Sequence, residues 1–138
     1  MKKKTFVFTV NTPEQAEVII LGSKIYNFKP ILHLKYYLIK GFGIDFIFTF
    51  RNMLISKFGE SSFKLFVDCG FDNSLCISMA TKKIEYLKLK GNLIILSKIK
   101  NITNKNRVLL NPSFNIVDCR NRKKINLKLK KIYSKGKK

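Results

Sequence analysis

Strand-like and helix-like segments alternate along this chain, and the alternation predicts an α/β domain. The sheet is expected to be small, five-stranded and mainly parallel, with flanking helices, in a flavodoxin-like or half-barrel βα-repeat arrangement. Three observations support this. Short β-branched and aromatic runs recur at residues 5–10, 30–34, 63–68, 86–90 and 108–110. Stretches of helical spacing fall between most of them. At 138 residues, 46% hydrophobic and 12% aromatic, the chain is long and apolar enough to bury one core, so it folds despite its charge.

The elements follow in order. After the first run, Asn11-Thr12-Pro13-Glu14-Gln15 supplies a cap, a first-turn proline and a first-turn acid. Thr12 and Gln15 have capping-box spacing. Ala16, Ile19, Ile20 and residues 23–25 continue a helix to about Tyr26. The second run is followed by a glycine-punctuated loop, Gly41-Phe42-Gly43, and residues 44–58 read as a long helix with Ile47, Phe48, Phe50, Leu54, Ile55 and Phe58 on its apolar side. Gly59 is a natural stop. The buried central strand, residues 63–68, ends in Asp68-Cys69-Gly70 and leads into a helix from about Asn73 to Lys82. Residues 86–90, YLKLK, alternate like an edge strand, 93–102 form a helix, and 108–110 a fifth strand halted by Asn111-Pro112. Beyond Phe114 to Val117 the composition shifts. The reading is therefore an α/β domain over 1–119 and a basic C-terminal tail over 120–138, in which ten basic residues meet no acid. Ile125, Leu127 and Leu129 alternate with polar residues, so part of this tail is expected to add a strand or lie over the domain, with 134–138 frayed.

The net charge of +20 suggests a polyanion partner, since cations that neutralise phosphates release condensed counterions. Its make-up gives a second explanation. Lysine supplies 24 of the 28 basic residues, and Lys, Ile, Asn, Phe and Leu, whose codons are rich in A and T, make up 80 of the 138. Drift in an AT-rich genome produces the same bias at solvated positions. Three cysteines, Cys69, Cys76 and Cys119, without a CxxC or HxxxH pair, predict reduced buried thiols and no metal site. Lys2-Lys3-Lys4 resembles a signal n-region, but the apolar run after it stops at Asn11, and the longest apolar stretch, 41–50, contains Asp45. A cytoplasmic protein without a transmembrane segment is expected.

The strand end at residues 63–74 locates the candidate site, because open α/β sheets bind ligands outside the carboxyl ends of their strands. Asp68 and Asp72 place two carboxylates there, Cys69 is a nucleophile wherever a base lowers its pKa, and His33 is the single histidine. Structural roles compete at each position: turn and N-cap bonds for the aspartates, positive φ for Gly70, packing for His33. The resulting expectation is a non-catalytic module that binds a small ligand or a protein partner through His33, Asp68, Cys69 and Asp72, with no cofactor. The alternative is an accessory protein that holds RNA, ribosomes or an anionic surface through Arg120, Arg122, Lys123, Lys124, Lys128, Lys130 and Lys131. Gly41-Phe42-Gly43 before a helix is only a GxG, short of a phosphate-loop motif.

The segment VDCGFDNS, followed by a helix and then IEYLKLKGN, resembles a small α/β family of alphaproteobacteria with a strand ending in Leu-Asp-Cys-Gly. Val67 to Gly70 carry the match; Asn73-Ser74 replaces a turn ending in Gly, and residues 76–81 are less alanine-rich than the family's helix. Asn111-Pro112-Ser113-Phe114 stands where the family has a proline-containing segment. The resemblance covers most of residues 5–118 and implies a fold and a lineage, with no activity attached.

Overall fold

The computed structural model describes residues 5–134. It shows an α/β fold with an all-parallel sheet of six strands, one more than expected. The strands are β1 (Phe6–Thr9), β2 (Ile31–Leu34), β3 (Lys64–Asp68), β4 (Tyr86–Lys88), β5 (Leu109–Leu110) and β6 (Asn115–Asp118). The helices are α1 (Pro13–Tyr26), α2 (Tyr36–Phe42), α3 (Asp45–Phe58), α4 (Asn73–Thr81), α5 (Leu93–Lys105) and α6 (Arg122–Tyr133). A 3-10 turn, Glu60–Ser62, precedes β3.

The strand order is β5-β4-β3-β2-β1-β6. Five strands therefore run in sequence across the sheet, as in the half-barrel alternative and not in the flavodoxin-like one, whose order reverses near its middle. Right-handed crossovers that always advance in the same direction put every crossover helix on one face. Burial agrees: Phe8, Val10, Leu32, Leu34, Leu65, Val67, Leu87 and Leu89 join the helices in the main core. The alternate residues Val7, Ile31 and Phe66 form a separate cluster with Tyr86 and Phe114, on an open face that none of the described helices joins.

The link between β5 and β6 shows that the sheet curls. These strands are at opposite edges, and five strand spacings in a flat sheet amount to about 24 Å. Only residues 111–114 join them, and a chain of that length reaches about 18 Å at full extension. The edges therefore approach each other and the open face is concave. Phe114 crosses it, edge-on to Phe66 at 5.3 Å and to Tyr86 at 5.1 Å.

Local chemistry explains the elements. Thr12 accepts from the Gln15 N–H at 3.2 Å while the Gln15 side chain reaches back to the Asn11 N–H at 2.7 Å, a capping box displaced by one residue. Asp72 and Asn92 cap α4 and α5 by accepting from the N–H groups of Leu75 and Ile95. Two further expectations are corrected, and the two alternatives for residues 125–129 are decided in favour of lying over the domain. The segment before Gly43 is the helix α2 and not a loop; Leu38 and Ile39, adjacent in sequence, anchor it in the core despite Gly41. Tyr86–Lys88 is not an edge, because β5 covers it. The chain after Arg120 forms a helix to Tyr133, in which Ile125 and Leu129, four apart, are fully buried while Leu127 is 68% exposed. This helix packs on α1 at Gly22, where an added Cβ would stand 2.5 Å from Leu129. Stacking of Tyr133 on Phe28 at 4.1 Å pins its end. Ser134 closes the last turn, and the rest of the expected frayed end lies outside the described residues.

Candidate functional site

Strand register sorts the open face into rows. Asp118, Thr9, His33, Phe66, Tyr86 and Leu109 pair side by side across all six strands. One step nearer the carboxyl ends, Asp68 pairs with Lys88. Period-two alternation places Asn11, Lys35 and Arg120 at that same level, two residues beyond Thr9, His33 and Asp118. The floor is thus aromatic and the rim is charged.

His33 is the polar centre of the floor, only 3% exposed. Its Nδ1 is hydrogen-bonded with the Thr9 hydroxyl at 2.8 Å, its ring stacks on Phe66 at 4.9 Å, and its Nε2 has no protein partner. Burial lowers its pKa from 6.5 to about 4; Asp68 opposes that shift, while Lys35, Lys88 and Arg120 reinforce it. The imidazole is therefore neutral at pH 7 and offers one unused nitrogen.

Beside it, a cleft of about 470 Å³ opens between β3, β4, β6 and the crossing link. Phe66, Phe114 and Ile116 give it apolar walls, and Lys88, Asn111 and Ser113 are its polar groups. Asn111, at φ 54°, fixes the link by accepting from the Leu89 N–H at 2.8 Å and donating to the Leu89 carbonyl at 3.0 Å. On the far side of His33 the rim is tied together: Arg120 forms an ion pair with Asp118 at 2.8 Å and reaches the Tyr37 hydroxyl, which donates to Asn11 at 2.6 Å. The Arg120 guanidinium holds the Asp118 carboxyl well below the usual carboxylate range.

The structure brings His33 and Asp68 together on the open face and separates the other two candidates from them. Asp68 spends one oxygen on the Gly70 N–H at 2.9 Å, across a turn where Gly70 has φ 58° and a Cβ would press on the Tyr36 ring at 3.1 Å. Cys69 points into the opposite, helix-covered layer and is fully buried. A hydrogen bond with Cys76 and burial both push its thiol up, so it is no thiolate near neutral pH and has no approach to His33. Asp72 caps α4. All three cysteines are free and buried. Among the described residues no group of three or more His, Cys, Asp or Glu is arranged to hold a metal ion. Among the described residues no helix is long and apolar enough to cross a membrane.

Of the basic candidates, Arg120 belongs to this rim and Lys128 donates to the Asp118 carbonyl. Arg122, Lys123, Lys124, Lys130 and Lys131 are exposed on α6. The cleft residues Lys88, Asn111, Ser113 and Phe114 escaped the sequence reading. The signal was present in the brevity of the link: two parallel strands joined by four residues cannot be neighbours, because a parallel crossover takes a dozen or more.

No family model and no curated protein matches the chain. Among solved structures it is similar to a protein of Coccidioides immitis described as a fructose-1,6-biphosphate aldolase, with a TM-score of 0.60 and 11% identity over 78% of this chain. The chain spans 44% of that protein, less than half its length. At this identity the likeness concerns the fold alone.

Proposed function

We propose that the chain binds a small ligand carrying a negative charge and an apolar body, in the cleft at the strand carboxyl ends of the open face. The observation that carries this reading is the cleft itself, where Lys88, Asn111 and Ser113 converge between the apolar walls of Phe66, Phe114 and Ile116; His33 stacks on Phe66 behind that wall and does not line the cleft. The charge of the rim sets the sign of the ligand. Lys35, Lys88 and Arg120 surround His33, while Asp118 is held by Arg120 and one oxygen of Asp68 by Gly70. Helices α5 and α6 also begin at this end of the sheet with uncharged caps and no acid in their first turns, which leaves their positive dipole ends uncompensated, whereas the Asp72 cap compensates α4.

Binding without catalysis is the reading the residues favour. Covalent chemistry needs an accessible nucleophile within reach of a base; Cys69 and His33 lie on opposite faces of the sheet, and the Thr9 hydroxyl that does meet His33 is itself buried, 1% exposed. The test is a titration of the full chain with anilinonaphthalene sulfonate, a planar apolar anion, followed by amide chemical shifts. The expected result is a shift cluster at Phe66, Lys88, Asn111 and Phe114, with affinity reduced several-fold in Lys88→Met at unchanged thermal stability. Scattered shifts, or equal affinity in Lys88→Met, would overturn the reading.

A further inference from the structure

Helix α6 is amphipathic, and its apolar side is already used. Ile125 and Leu129 are fully buried against α1, with Ile132 and Tyr133 packed on the same core. At 100° per residue, the direction opposite Ile125 and Leu129 is occupied by Leu127, with Lys123 and Lys130 on one flank and Lys124 and Lys131 on the other. Among the described residues none of these four lysines is in an ion pair. The helix contains no acid, and its first turn, where the positive end of the dipole disfavours cations, holds Arg122, Lys123 and Lys124.

We infer that this outward face of α6 is a docking surface for the phosphate backbone of RNA. Three physical points favour it. First, the placement of charge works against the fold: cations at the helix start and like charges one turn apart, as in Lys124 and Lys128, both destabilise an isolated helix. Drift toward lysine explains solvated lysines in general, but it does not by itself gather three cations into the first turn of one helix. Second, six of the eight carboxylates are used elsewhere. Glu17, Glu60 and Asp118 are paired with Lys57, Arg51 and Arg120, and Asp68, Asp72 and Glu85 accept from backbone N–H groups. Residues 86–138 contain 16 basic residues and one acid, Asp118, so this part of the chain is almost uncompensated. Third, the alternative anionic partner fits poorly. A helix lying on a membrane inserts its apolar face, and here that face is inside the protein, leaving Leu127 alone among lysines. A phosphate backbone needs only the cations.

The surface predicts sequence-independent, salt-sensitive binding, separate from the cleft on the other side of the sheet. The experiment measures affinity of the full chain for a 20-nucleotide single-stranded RNA between 50 and 200 mM salt. It compares the wild type with Lys123→Gln/Lys124→Gln/Lys130→Gln/Lys131→Gln and with a control of equal charge, Lys82→Gln/Lys83→Gln/Lys98→Gln/Lys100→Gln. Four lost phosphate contacts lower the slope of log affinity against log salt by about 3, so the wild type loses roughly 50-fold more affinity over this range than the α6 variant. The control is expected to keep the wild-type slope. Absence of RNA binding by the wild type, equal effects in both variants, or α6-dependent binding to phosphatidylserine vesicles without RNA binding would each overturn the inference. Thermal melting of both variants verifies folding. The α6 variant is expected to melt no lower than the wild type, because its substitutions remove unfavourable charge from a helix end.

Discussion

Leu65 and Phe66 are consecutive in β3 and look into different environments. Leu65 points into the layer between sheet and helices, where it joins the main apolar core and the cysteines behave as small hydrophobes. Phe66 points to the open face, where its ring meets an imidazole on one side and the crossing Phe114 on another. The first face resembles any α/β core. The second combines an aromatic floor, a buried histidine with an unused nitrogen and a charged rim, which apolar packing alone does not require. The comparison separates the residues that hold the fold from those available for binding, and substitutions can test the separation.

The largest effect is expected on the helix-covered face. Leu65→Ala removes a fully buried side chain from a central strand and should cost about 3 kcal/mol, a substantial share of the roughly 5–15 kcal/mol that holds such a domain together. Chemical denaturation should show a lower midpoint with an unchanged slope. The half-buried Lys88 on the open face, replaced by Met, should stay within about 0.5 kcal/mol of the wild type. Comparable losses from the two would remove the distinction between the faces.

The next effect belongs to His33. Its pKa in the fold, about 4, is below the ordinary 6.5, so between these values the unfolded chain takes up a proton that the folded chain refuses. Stability from this group is therefore fully present above about pH 6.5 and declines as pH falls to about 4, by on the order of 3 kcal/mol in total. Carboxylates titrate near the bottom of this range in wild type and variant alike. The informative quantity is accordingly the difference between wild type and His33→Gln, measured by denaturant unfolding from pH 7 to 4. A difference that does not change with pH would mean that the imidazole is not held neutral on the open face.

Much of the first face was legible in the sequence, because periodicity and capping are local. Thr12-Pro13 starts α1, Asp72 starts α4, and residues 63–68 read as a buried central strand because they lie at one. The failures have physical causes. Ile125, Leu127 and Leu129 fit a period of two as well as a four-residue repeat, and only packing against Gly22 decides for the helix. β6 was hard to see because it is an edge strand with most of its residues exposed, so it lacks the apolar alternation that marks a buried one. The open face was the least legible. His33 and Asp68 were singled out, but their neighbours Thr9, Phe66 and Lys88 depend on the register of four strands, and Asn111, Ser113 and Phe114 depend on where a link crosses.

The smallest and most discriminating test concerns the two aspartates, which look alike in the sequence and differ in the structure. Asp72→Ala deletes an N-cap and should cost about 1 kcal/mol while leaving anilinonaphthalene sulfonate binding unchanged, since that side chain faces the start of α4 and lies outside the cleft. Asp68→Ala deletes the turn bond to the Gly70 N–H at a similar cost, and it also removes a negative charge from the strand position next to Lys88. Exposed charge pairs are worth about 0.2–1 kcal/mol, so probe affinity should rise by about 1.4- to fivefold. If instead Asp68→Ala weakened the anion, the carboxylate would be positioning Lys88 or contacting the ligand, and the rim would select a ligand with a hydrogen-bond donor beside its negative charge. Equal behaviour of the two variants would place both aspartates with the fold and leave Lys88, Asn111 and Ser113 as the polar groups through which the open face binds.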